Sequence, residues 1–165
     1  MSRTFKALTL WQPWASLLIG GYKGFETRSW RPKGARFWCA IHAAKTPQGI
    51  AVPESFTPPG FVDLAAKCLR EMEYNQMADL PLGAVLGLVL WDGMRPTEQK
   101  IAGVGEYSRT FGDWSPGRYA WRVGRIYRFP DPVPAVGRQG LWNWEIPAVL
   151  YADWLDGDRE EARHG

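Results

Sequence analysis

The residues of this chain best suited to chemistry lie together in Gly21-Tyr22-Lys23-Gly24-Phe25-Glu26-Thr27-Arg28. Two cations bracket one carboxylate. If the segment after Gly24 is extended, Glu26 and Arg28 share one face of a strand, and Lys23 can bend toward them from the preceding turn. A carboxylate between two cations can accept a hydrogen bond from a base edge while Lys and Arg hold phosphate. The same spacing also fits a plain strand-face ion pair, worth little at a surface. Thr27 should face the opposite side. Four more residues complete the candidate set. Gln12 can hydrogen-bond a base edge or cap a helix, and Trp14 and Trp30 can stack on a base or fill the core. Asp113 lies in Phe111-Gly112-Asp113-Trp114-Ser115-Pro116-Gly117, a loop of the kind where carboxylates commonly form turns.

The elements that must position these groups follow from apolar spacing. Residues 6–11 read as a strand without breakers. A short helix follows, with Pro13 suited to its first position, with Trp14, Leu17 and Leu18 at helical spacing, and with Gly20-Gly21 ending it. Residues 25–30 alternate as a strand, and residues 31–34 (Arg-Pro-Lys-Gly) form a turn. Residues 37–43 form a buried strand, and residues 47–59 a Pro-rich connection. Over 61–74, Phe61, Leu64, Ala65, Cys68, Leu69 and Met72 make one apolar helical stripe. The Val/Leu-rich run over 83–91 predicts a central strand closed by an Asp92-Gly93 turn. Residues 118–129 predict a strand pair or one long strand, and the prolines of 130–134 forbid helix there. Residues 152–165 hold five acids and two arginines, which predicts a solvated helix with a frayed, acidic tail at 156–165. Five or six strands with helices in mixed order give an α+β fold, read as a small twisted sheet curling into a barrel with helices at its mouth.

At 165 residues, 45% hydrophobic and 22% charged, the chain fits one domain over 1–165. No apolar run approaches the roughly 20 residues that cross a bilayer, so no membrane partner is expected. The opening residues lack a secretory apolar stretch, and a cytoplasmic protein is expected. Cys39 and Cys68 are far apart and outside any CxxC pair, which predicts reduced, buried thiols. With His42 as the only histidine apart from His164, no paired metal-ligand spacing exists. Neither a metal nor a cofactor is expected, and His42 reads as a satisfied interior group. The net charge is only +3, yet residues 1–47 carry eight basic residues against one acid. That asymmetry attracts polyanions unless folding brings the acids of the remaining chain beside it. Ten Trp, seven Phe and six Tyr sharpen the case for nucleic acid, since a flat ring stacked on an unpaired base contributes about 1–3 kcal/mol. Most of these rings must nevertheless be core.

The segment Gly21, Lys23, Glu26 and Arg28 resembles the Gly-x-Lys-x-x-Glu-x-Arg signature of the ASCH (activating-signal-cointegrator homology) domain, a relative of the PUA-like barrels, with all four positions present. Four more blocks resemble the family in the expected order, so that the likeness covers most of residues 5–145. They are Leu8-Thr9-Leu10-Trp11-Gln12-Pro13-Trp14-Ala15, Ile41-His42-Ala43-Ala44-Lys45, Gly83-Ala84-Val85-Leu86-Gly87, and a closing region of a bacterial and phage subgroup. The last comprises Phe111-Gly112-Asp113, Gly117-Arg118-Tyr119-Ala120-Trp121 and Gly140-Leu141-Trp142-Asn143-Trp144. The resemblance implies a PUA-like β-barrel with a cleft between barrel and first helix, lined by the signature residues, and a link to RNA. Some small members similar in the signature hydrolyse acylated cytidine nucleosides, and ribonuclease activity is attached to others. In the hydrolytic members the lysine matching Lys23 is paired with a hydroxyl residue where this chain has Glu26.

Two functions follow. In the first, a basic cleft binds single-stranded RNA or a modified nucleoside. Lys23 and Arg28 hold phosphate or a carbonyl, Glu26 accepts from an amino group, Trp14 or Trp30 stacks, and Gln12 reads a base edge. In the second, the protein is an amidohydrolase of an acylated cytidine or a ribonuclease, with Lys23 as base or nucleophile activator and Glu26 or Asp113 as acid/base partner. The oligomeric state stays open.

Overall fold

The computed structural model describes residues 3–45 and 57–164. Most of the Pro-rich connection expected over 47–59 lies outside the described residues. The elements in order are β1 (Thr4–Leu10), α1 (Trp14–Ile19), β2 (Phe25–Arg28), β3 (Arg36–Ala43), α2 (Phe61–Glu71), β4 (Ala84–Pro96), α3 (Glu106–Phe111), β5 (Tyr119–Pro134), β6 (Leu141–Glu145) and α4 (Ala148–His164). The strands form one six-stranded sheet in the order β2-β5-β4-β3-β1-β6. β1 and β3 run parallel, with Leu8 opposite Ile41, and every other pair is antiparallel. This is the expected α+β fold with a mixed sheet, and no pairing among the described residues joins the outer strands β2 and β6.

Because side chains alternate across a strand, the apolar strands feed both faces. On one face Leu8, Leu10, Ile41, Val89, Trp91 and Trp121 pack with Leu18 and Ile19 of α1. On the other, Ala7, Ala40, Val85, Leu88, Phe129 and Trp144 pack with Tyr151 and Trp154 of α4. A third cluster joins Leu17 of α1 to Phe61, Ala65, Cys68 and Leu69 of α2 and to Phe111 of α3. The stripe read over 61–74 is therefore packing, as its spacing implies. Both cysteines are free and buried, in different clusters. No helix among the described residues is long and apolar enough to cross a membrane.

Four local readings need correction. The Asp92-Gly93 turn is not a turn: β4 runs on to Pro96, and one extra β4 residue is absorbed between the Trp91/Val123 and Met94/Trp121 pairs. Asp92 binds Arg36 and Arg122 there, so its polarity serves ion pairs on a bulged strand. Residues 106–111 form α3, a helix that the sequence reading omitted because six residues carry too little periodicity to register. The acidic C-terminal helix is docked further than a solvated helix would be: Tyr151 and Trp154 pack on Phe5, and Asp158 ion-pairs with Arg125 of β5. His42 is buried, with Nε2 bonded to the Ala135 carbonyl at 3.0 Å and Nδ1 unpartnered, so it is only half satisfied.

Gly87, opposite Ile41 on one side and Arg128 on the other, shows how closely β4 is enclosed. A Cβ added there would lie 2.4 Å from the Tyr127 carbonyl oxygen. Gly87→Ala should therefore cost about 1–3 kcal/mol through overpacking. Thermal unfolding should show a fall of about 2–4 °C per kcal/mol at this size. An unchanged midpoint would refute the close approach of β4 and β5.

Candidate functional site

A cleft of about 890 Å³ opens where the end of β1, the start of α1, strand β2 and the α3–β5 loop meet. Its floor is built from the signature. α1 ends at Gly20-Gly21, and Gly21 takes the left-handed conformation (φ 83°) that L-residues with side chains resist. The backbone N–H groups of Tyr22 and Lys23 both return to the Leu17 carbonyl. That reversal drops Lys23 beneath the helix and sends the chain into β2, where Phe25–Arg28 pair with Arg122–Tyr119 of β5. Glu26 and Arg28 then share a face as the strand geometry requires, with Lys23 turned toward them.

The three charges are in contact. Lys23 Nζ lies 2.8 Å from Glu26 Oε2, and Arg28 Nε lies 2.9 Å from Glu26 Oε1. Lys23 is only 2% exposed and also donates to the Phe25 carbonyl at 2.8 Å. Among the described residues, two of its three N–H bonds are engaged. Burial by itself would push the Glu26 carboxyl up, but the charges and hydrogen bonds of Lys23 and Arg28 outweigh it and hold the group below its ordinary range. Glu26 is therefore ionised at neutral pH.

The second wall is the α3–β5 loop. The Asp113 backbone N–H donates to Thr27 Oγ1 at 2.9 Å, and Arg118 donates to the Thr27 carbonyl at 3.0 Å and ion-pairs with Asp113 at 3.3 Å. Thr27 thus serves the loop while Glu26 serves the cations. Asp113 accepts from the Ser115 hydroxyl and backbone N–H. The hydroxyl bond leads in holding its carboxyl below the usual range. Partial burial opposes this, and the Ser115 N–H and the Arg118 charge support it.

The sequence candidates divide. Lys23, Glu26, Arg28, Trp14 and Asp113 all line the cleft, with Trp14 also packed on Phe61, ring centroids 5.4 Å apart. Two candidates do not reach it. Gln12 is fully buried: its amide donates to Ser16 Oγ and the Pro81 carbonyl, and its oxygen accepts from the Ser16 N–H. Of its two readings, the cap on the helix start is the one observed. Trp30 is partly buried and packs edge-on against Trp121 of the core at 5.0 Å. The sequence reading missed Trp11, which is 51% exposed and lines the cleft, as well as Arg109, Trp114 and Arg118. Trp11 had a signal only in its place as the last residue of the strand read over 6–11, one residue beyond the observed end of β1. Arg109 had none, because its helix was not read.

Removing one partner of a buried ion pair leaves the other unmatched, which costs about 3–5 kcal/mol. Glu26→Gln should lose stability of that order in urea denaturation near neutral pH. The folded pKa of Glu26 lies below its ordinary 4.5, so its contribution is complete above that pH and is lost as pH falls through the folded value. The gap between wild type and Glu26→Gln should therefore narrow in acid. A constant gap would show that the carboxylate charge is not the source of the stability.

No family model matches the chain. Over 84 residues, 50% of its length, it is 36% identical to activating signal cointegrator 1 of Homo sapiens, and over 83 residues 36% identical to the Mus musculus protein of the same name. It spans 13% of the length of each. Among solved structures it is similar to ASCH from Zymomonas mobilis, at 12% identity and a TM-score of 0.48 over 94% of this chain and 96% of that one. A tyrosine-to-phenylalanine mutant of the same Zymomonas mobilis protein gives 13% identity and a TM-score of 0.45 over 92% and 96%. The sequence match to the cointegrator and the signature of the family named for homology to it agree: the chain is similar to ASCH domain proteins.

Proposed function

We propose that residues 1–165 form one ASCH-type domain whose cleft binds single-stranded RNA or a modified nucleoside. The observation that carries this reading is the buried Lys23–Glu26–Arg28 triad at the floor of a tryptophan-walled cleft. Its volume of about 890 Å³ lies in the range of small-ligand pockets. Trp11, half exposed on the wall, presents indole surface on which a base can stack. Arg28, 28% exposed, can reach a phosphate.

The state of the site's groups disfavours the general-acid half of the hydrolase reading. The Lys23 ammonium is held by two acceptors, and both carboxylates, Glu26 and Asp113, are kept ionised. Neither carboxylate is poised to donate a proton as a carboxylic acid near pH 7, which general acid catalysis by Glu26 or Asp113 would need.

Trp11→Ala is the cleanest test, because the exposed ring contributes little to the core. Loss of one stacked base should weaken binding of a labelled single-stranded RNA by about 1–3 kcal/mol in anisotropy titrations. Arg28→Ala should reduce the dependence of log K on log salt by about one phosphate. Lys23→Ala suits this purpose less, since it strands a buried carboxylate. Unchanged affinity and salt slope in both recommended variants would reject the cleft as the binding site. Incubation with N4-acetylcytidine, followed by chromatography, is expected to release no product. Release that disappears in Arg28→Ala would establish the hydrolase instead.

A further inference from the structure

The charge of the cleft narrows the ligand class, in an inference that rests on the binding reading above. Among the described residues, four cations line the cleft, Lys23, Arg28, Arg109 and Arg118, against two carboxylates, Glu26 and Asp113. Arg118 matches Asp113, while Lys23 and Arg28 share Glu26. One positive charge therefore stays unmatched at the floor. A second sits on exposed Arg109 near the end of α3, which has no carboxylate within ion-pair distance among the described residues.

The floor charge is the informative one. Lys23 is 2% exposed and Arg28 28%, and a charge withdrawn from water is costly until it is matched. A neutral nucleoside does not match it, and an internal phosphodiester brings a single charge. A phosphate monoester carries about −1.5 to −2 near pH 7 and has three acceptor oxygens, enough to offset both unmatched cations. We propose that the cleft takes a phosphate monoester of a nucleoside, as a free mononucleotide or as the phosphorylated end of a strand, with Arg28 and Arg109 supplying the opposing charges. The dianion is also the form that a guanidinium binds through two parallel hydrogen bonds. Arg28 already gives Nε to Glu26 and Nη2 to the Thr9 carbonyl at 3.4 Å, so exposed Arg109, with no ion-pair partner among the described residues, is the guanidinium best placed to make them.

The test is calorimetric titration of the full chain with the four common nucleosides, their 5′- and 3′-monophosphates and inorganic phosphate. Anisotropy titrations with a labelled oligoribonucleotide, with and without a terminal phosphate, run beside it. At least one monophosphate should bind about tenfold or more tighter than its nucleoside near pH 7.5, a difference of about 1.4 kcal/mol. That preference should shrink toward pH 5 as the monoester, with a second pKa near 6, gains a proton. Arg109→Ala should reduce it by about fivefold or more, and Arg109→Lys should restore most of it. A preference confined to the free monophosphates assigns the mononucleotide, and one shared by the phosphorylated oligomer assigns the strand end. Equal binding of nucleosides and monophosphates overturns the inference and leaves the binding reading standing. Inorganic phosphate binding as tightly as the best monophosphate also overturns it, as an adventitious ion only. Failure of every nucleoside, nucleotide and oligomer to bind overturns both.

Discussion

Lys23, Glu26 and Arg28 meet at the cleft floor with little water to screen them, and the surrounding architecture follows from keeping all three in place. A carboxylate buried alone would protonate, and an ammonium buried alone would lose its proton or unfold the site. Together they hold, provided the backbone fixes their separation. The left-handed Gly21 turns Lys23 under α1, β2 keeps Glu26 and Arg28 on one face, and pairing with β5 prevents that strand from rotating. The α3–β5 loop is then anchored on Thr27, between the two charged positions, so the wall of the cleft is tied to the strand that carries its floor.

The two ends of β1 and α1 divide the aromatic residues between structure and surface. Trp14 leans on Phe61 and belongs partly to the helical cluster, whereas Trp11, three residues earlier, has left the strand and stands half exposed. Trp30 goes the other way, edge-on to Trp121, which is itself edge-on to Trp91. Three indoles in successive T-shaped contact fill one side of the sheet near the cleft, so its floor rests on rigid packing, and a group held this way loses little freedom on meeting a ligand.

Much of this arrangement was legible in the sequence because it is local. The i and i+2 relation of Glu26 and Arg28, the glycine turn before Lys23 and the long apolar runs of β3 and β4 are all set by neighbours within a few residues. What escaped depended on distant partners. Gln12 looked free to read a base until folding placed the Pro81 carbonyl beside its amide. Asp92-Gly93 looked like a turn until Arg36 and Arg122 arrived from the flanking strands and the chain bulged. Arg109 and Arg118 reach the cleft only because a six-residue helix and its loop fold back onto β2, and no pattern of residues 106–118 alone encodes that return.

The place of β1 in the sheet has a consequence for how the chain comes to be folded. Its neighbours are β3 on one side and β6 on the other, with Thr4 opposite Glu145, and among the described residues β2 pairs with β5 alone. During synthesis from the N-terminus, the strand bearing Glu26 and Arg28 must wait for residues 119–122 to emerge, and β1 keeps one edge open until residues 141–145 follow. Contacts of such long sequence separation form slowly, and an unpaired apolar edge is a template for other chains while it waits. The signature segment therefore stays without its sheet partner until residues 119–122 have been made, and the cleft cannot take shape before then.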